Sequence, residues 1–128
     1  MKNLLIEATK KTPEVVFNTD GQLSLKGRSL PENADQFFTP LISWVESLDA
    51  KKVKLDISLD YFNSSSSRKL MDLFKYLDAN HSIDNIQINW YYEEGDEDSL
   101  ETAQIFEDSL IRTEFRYLEQ ADSDLINL

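Results

Sequence analysis

The chain has 128 residues, 24 of them acidic and 13 basic, for a formal charge of −11, with 41% hydrophobic and 29% charged side chains. That size and balance suit one folded domain with a proper core, while the charge repels phosphate backbones and anionic lipid and so argues against direct binding of nucleic acid or a membrane surface. The absence of cysteine excludes disulfides, thiolate catalysis, zinc–thiolate sites and iron–sulfur clusters.

No apolar run approaches the roughly 20 residues of a membrane span, and Met1–Glu7 lacks a signal-peptide core. One domain over residues 1–128, a cytoplasmic location and no membrane insertion are the expectations. Leu4–Ala8 reads as a first strand and Thr9–Pro13 as a polar break. Glu14–Phe17 and Gln22–Lys26 flank Asn18-Thr19-Asp20-Gly21, a hairpin signal in which Asp-Gly supplies the turn. Pro31 suits the first position of a helix, with Ser29 or Leu30 near its cap. Phe37, Leu41, Trp44, Val45 and Leu48 line one side of that helix, and Pro40 is expected to bend or divide it because proline lacks the amide donor.

Val53, Leu55, Ile57 and Leu59 then alternate with Lys54, Asp56, Ser58 and Asp60, as in a strand with one buried face. The stretch that follows, Tyr61-Phe62-Asn63-Ser64-Ser65-Ser66-Ser67-Arg68, leads into a helical face of Leu70, Phe74 and Leu77. The serine run therefore falls where a strand's carboxyl end turns into a helix amino end, the rim at which function gathers in open α/β sheets. Asn63 or Ser64 caps that helix, and a phosphate on one of these hydroxyls would meet unpaired N–H groups and the positive end of the helix dipole. Pure capping explains the same residues.

The helix is expected to run to about Ala79, with Asn80-His81-Ser82 as a break. Ile86, Ile88 and Trp90 alternate as a further strand, leaving Tyr91 on the other face. Glu93–Asp98 is an acidic turn, Leu100, Ala103, Phe106 and Leu110 give a third helical stripe, and Glu114–Leu118 reads as a closing edge strand before an acidic tail to Leu128. Alternation in the central strands, in place of continuous apolar runs, predicts an α/β domain of two layers with helices mainly on one face of the sheet.

Enzymatic signals are missing. His81, the sole histidine, lies at the opposite end of a helix from Ser64, too far for a catalytic pair. The three glycines form neither a Walker loop nor a dinucleotide fingerprint, and the acidic turn lacks the ligand spacing of an EF-hand. No cofactor and no metal are expected. The acidic turn Glu93–Asp98 supports an alternative reading, a module that binds a basic partner while the serines only cap.

The order hairpin, helix, strand, serine-headed helix, strand, helix, strand resembles the STAS-type fold of anti-sigma-factor antagonists, with a mixed sheet of about five to six strands. Four motifs sharpen this: Glu7-Ala8-Thr9-Lys10-Lys11-Thr12-Pro13-Glu14, Lys26-Gly27-Arg28-Ser29-Leu30-Pro31-Glu32-Asn33, Tyr61-Phe62-Asn63-Ser64-Ser65-Ser66 and Asn89-Trp90-Tyr91-Tyr92. Together they resemble the SiaC family of regulatory phosphoproteins over almost the full chain. The resemblance implies a partner-switching protein without enzymatic activity. Such a protein is phosphorylated by a SiaB-type kinase, dephosphorylated by a PP2C-type phosphatase, and in its unmodified form binds and activates a diguanylate cyclase, which links it to cyclic-di-GMP and biofilm formation. The acceptor position of the family falls on Ser64, with Ser in place of the usual Thr and with Ser65 and Ser66 as alternatives. A docking surface of Tyr61, Asn63, Ser65, Arg68, Glu32, Asn33 and Tyr91 is expected around it.

Overall fold

The computed structural model describes residues 1–120; the acidic tail expected to Leu128 lies outside them from residue 121 on. Nine elements follow one another: β1 (Leu4–Ile6), β2 (Glu14–Phe17), β3 (Gln22–Ser29), α1 (Ala34–Ser47), β4 (Lys52–Phe62), α2 (Ser64–Asp78), β5 (Asn85–Glu93), α3 (Glu97–Asp108) and β6 (Glu114–Gln120). The six strands form one mixed sheet in sequential order β1-β2-β3-β4-β5-β6. β1 pairs antiparallel with β2, and β2 with β3 across the Asp20-Gly21 turn, whereas β3 to β6 pair parallel through the three helices.

The two-layer expectation holds. Val53, Leu55, Ile57, Ile86, Ile88 and Trp90 are buried beneath helical side chains such as Phe38, Leu41, Val45, Leu70, Leu73, Phe74, Leu77, Ala103 and Phe106, in one hydrophobic cluster. Across the sheet, the other face is polar, with Asn89 Nδ2 donating to Asp56 Oδ1 at 2.8 Å and Gln87 Nε2 to Asn89 Oδ1 at 2.8 Å. Trp90 sits at the centre of the aromatic core, with Phe62 and Phe106 each 5.7 Å away between ring centroids, and its indole N–H donates to Ser99 Oγ at 2.8 Å.

Several boundaries differ from the sequence expectation. α1 is capped by Asn33, not by Ser29 or Leu30: Asn33 Oδ1 accepts the Gln36 N–H at 3.0 Å, leaving Pro31 outside the helix. Pro40 does not divide α1, which continues to Ser47 at the expense of one backbone donor. Phe38 is the buried phenylalanine of this helix and Phe37 only half-buried. β1 stops at Ile6, short of Ala8, and Leu110 lies past the end of α3, packed on the core from the following turn.

The difference that matters most is at the end of β4. The strand runs on through Phe62, and its register with β3 slips between Gly27 and Arg28, where Gly27 pairs with Leu59 but Arg28 pairs with Tyr61. Asp60 is the extra residue of this bulge. An inserted residue reverses the side-chain alternation beyond it, so Phe62 turns into the core against Trp90 and Tyr61 turns out, 52% exposed.

Candidate functional site

Asn63 is extended, with φ −85° and ψ 176°, and stands as the N-cap of α2. Its Oδ1 accepts the Ser66 N–H at 2.9 Å and the Ser65 hydroxyl at 3.0 Å, and its carbonyl accepts the Ser67 N–H at 2.9 Å. Ser64 is thus the first helical residue. Its side chain is exposed, and among the described residues no hydrogen bond engages its hydroxyl. The helix start leaves its earliest N–H groups directed at solvent with partial positive charge, so Ser64 Oγ stands beside donors suited to an anion.

Two of the neighbouring serines are committed elsewhere, and the third is less exposed. Ser65 is half-buried and donates to Asn63. Ser66 is wholly buried, donating to the Ser29 carbonyl at 3.0 Å and lying 2.8 Å from Ser29 Oγ, itself wholly buried at the end of β3. Ser67 is half-buried. Of the four, Ser64 alone combines exposure with an unengaged hydroxyl.

Two surfaces flank this helix start. On the α1 side, Glu32, Asn33, Ser65 and Arg68 line a common groove with Asp35, Lys69 and Asp72. Lys69 bridges the two helices there, pairing with Asp35 on α1 and, at 3.8 Å, with Asp72 on its own helix. The hydrogen bond to Asp35 is the main reason its ammonium is held above its usual range. Glu32 is paired with Lys11 at 3.1 Å, and Asn33 is occupied as the α1 cap. Arg68 is exposed, one helical turn beyond Ser64 and on the same side.

On the α3 side, Tyr61 and Phe62 share a groove with Asp60, Asp96, Asp98 and Thr102. Three of the five acidic residues in the run Glu93–Asp98 serve the start of α3. Asp96 caps α3 by accepting the Ser99 N–H at 3.1 Å, and Glu97 and Asp98 occupy its first turn, where the dipole favours negative charge.

Tyr91 stands apart from the groove of Glu32, Asn33, Ser65 and Arg68. It belongs to β5, on the polar face of the sheet, in a crevice with Ser58, Asp60 and Asp96. Burial, and then the Asp56 carboxylate, raise its phenol above the ordinary range. His81 is exposed in the turn after α2, and among the described residues no three side chains converge as a metal cage. No helix among them is long and apolar enough to cross a membrane.

Two features escaped the sequence reading. Ser29 was read only as a candidate near the cap of the first helix, because its true partner Ser66 is 37 residues away. At the other end of α2, Asp78 is buried and accepts the N–H groups of Ile111, Arg112 and Thr113 and the Thr113 hydroxyl, at 2.7–3.1 Å. Arg112 in turn donates to the carbonyls of Asp78, Asn80 and Ile83.

Comparison with known proteins gives consistent results. The sequence model described as SiaC family regulatory phosphoprotein matches residues 6–120. An uncharacterized protein of Pseudomonas aeruginosa (strain UCBPP-PA14) is 33% identical over 111 residues, covering 83% of this chain and 88% of that protein. Among solved structures, apo-SiaC from Pseudomonas aeruginosa superposes with a TM-score of 0.78 at 30% identity, covering 92% of this chain and 99% of the other. SiaC in complex with the diguanylate cyclase SiaD, whose activator it is, superposes with a TM-score of 0.80 at 30% identity, over 91% and 99% of the two chains.

Proposed function

Since the chain belongs to the SiaC family of regulatory phosphoproteins, we propose that it is the switchable component of a partner-switching module, with Ser64 as its phosphoryl acceptor. A SiaB-type kinase transfers the γ-phosphoryl group of ATP to Ser64 Oγ, releasing ADP, with the hydroxyl proton passing to a base on the kinase. A PP2C-type phosphatase returns the hydroxyl by hydrolysis. The unmodified form docks on a diguanylate cyclase and activates it, so the chain regulates without catalysing.

The observation that carries this reading is the state of Ser64 at the head of α2: exposed, unengaged, and beside the unpaired amides of a helix start. The similarity to a SiaC chain solved with a diguanylate cyclase supports the choice of partner. Tyr61, exposed beside the acceptor, and Arg68, a turn further on, are the side chains best placed to meet that partner; the groove of Glu32, Asn33 and Ser65 extends the surface.

Magnitudes favour a switch without refolding. Phosphorylation adds about −1.5 to −2 charge and three acceptor oxygens, which the helix start tolerates. A partner packed over the hydroxyl would bury that charge unpaired, at a cost of several kcal/mol, whereas about 1.4 kcal/mol already changes affinity tenfold.

The test is incubation with a SiaB-type kinase and ATP, site mapping by mass spectrometry, and binding of a diguanylate cyclase before and after. Modification at Ser64 with loss of binding is expected. Modification elsewhere, or binding indifferent to it, refutes the proposal.

A further inference from the structure

The bonds between Ser29 and Ser66 can be assigned proton by proton. The Ser29 carbonyl can only accept, so Ser66 Oγ donates to it at 3.0 Å. A hydroxyl has a single proton. In the 2.8 Å contact between the two side chains, Ser29 Oγ is therefore the donor and Ser66 Oγ the acceptor. The same Ser29 carbonyl also accepts the Asn63 N–H at 3.1 Å. The end of β3 thus grips the cap residue and the third residue of α2, on both sides of Ser64 in the chain.

This grip bears on a problem of selection. A run of four serines offers a kinase hydroxyls of equal chemistry, and only their setting distinguishes them. Ser66 is buried and donates to a carbonyl, Ser65 donates to Asn63, and Ser67 is half-buried where Ser64 is exposed. We infer that Ser29 is a positioning residue for the phosphoryl transfer to Ser64, an inference that rests on the reading of Ser64 as acceptor. Ser29 is wholly buried and makes no hydrogen bond to the hydroxyl that reacts. It acts through Asn63 and Ser66, whose placement sets where Ser64 Oγ stands and which way it faces.

The experiment uses the full chain with a SiaB-type kinase and ATP, reading initial rates and modified residues by mass spectrometry. Ser29→Ala removes the bond between the two side chains and leaves the Ser29 carbonyl in place, whereas Ser66→Ala removes that bond and the bond to the carbonyl as well. Each is expected to lower kcat/KM at Ser64 roughly tenfold, since an ångström of misplacement can cost up to about 10²-fold. The loss falls in kcat rather than KM, because the kinase still meets the same outer surface. The double variant is no slower than the slower single one, as for two halves of one contact. Should Ser29→Ala fail to fold, Ser66→Ala carries the test, alanine having the highest helix propensity. A parent-like rate in a folded Ser29→Ala or in Ser66→Ala, or losses that add in the double variant, overturns the positioning role and leaves Ser64 as acceptor. A parent chain modified at a residue other than Ser64, or at none, overturns the acceptor reading and this inference with it.

Discussion

Asp78 and Arg112 hold each other reciprocally: Asp78 Oδ1 accepts the Arg112 backbone N–H at 3.1 Å, and Arg112 Nε donates to the Asp78 carbonyl at 2.8 Å. This clamp ties the carboxyl end of α2 to the turn before β6. The other end of the same helix carries the serines, so α2 is pinned at both termini, by Asp78 and by the contacts of Ser29.

Burial opposes the ionised form of Asp78, but hydrogen bonds from Thr113 and from the backbone of Ile111, Arg112 and Thr113 outweigh it and hold the carboxyl below its ordinary value of 3.8. The folded-state value is thus the lower one, so the native fold gains stability above the unfolded value and loses it as pH falls through the folded one. Asp78→Asn is expected to cost roughly 1.5–3 kcal/mol at neutral pH, the range for hydrogen bonds to a charged group. Urea titrations from neutral pH down into the acid range check the sign: the stability gap between parent and variant narrows below about pH 4.

Asn63→Ala removes the acceptor for the Ser66 N–H and the Ser65 hydroxyl together. Loss of the cap is expected to lower stability by about 1 kcal/mol, read from the urea midpoint. It also frees Ser65, so phosphosite mapping should find modification spreading from Ser64 to Ser65.

Ser64→Asp separates folding from docking. A carboxylate in the first turn of α2 is expected to raise stability by about 0.3–1 kcal/mol at low ionic strength, an increment that added salt removes. Binding to the diguanylate cyclase should fall at least tenfold in this variant and persist in Ser64→Ala. Isothermal titration measures the binding and denaturant titration the stability.

Gly21 turns the β2–β3 hairpin at φ +99°, and a Cβ there would lie 2.1 Å from the Lys52 carbonyl oxygen. Gly21 also passes its own carbonyl to the Lys54 N–H at 2.9 Å. Gly21→Ala combines a disfavoured backbone region with a clash against backbone, so a loss well above about 1 kcal/mol is expected. The urea midpoint should drop with little change in slope.

Much of the fold was legible because its signals are local. Alternation over 53–59 and 86–90 marked two strands with one buried face, Asp20-Gly21 marked the hairpin, and the spacing of Leu70, Phe74 and Leu77 marked α2. The α1 start was misread because Pro31 satisfies a helix signal that Asn33, two residues on, satisfies better through a real hydrogen bond. Tyr91 lies on the polar face that alternation had already assigned to it, in a crevice separate from the groove of Glu32 and Asn33, a separation that only the folded chain shows.

The amino-acid order alone determined that a serine run heads a helix behind a central strand, because caps and helical faces depend on residues three or four apart. It also determined that cysteine chemistry is closed to this chain. Which serine is left exposed and unengaged was decided only by tertiary structure. Ser66 is silenced by Ser29 from 37 residues away, and Tyr61 faces outward because the β3–β4 register slips at Asp60. Hydroxyls of identical chemistry become unequal only when strands and helices from separate parts of the chain meet and bury some of them.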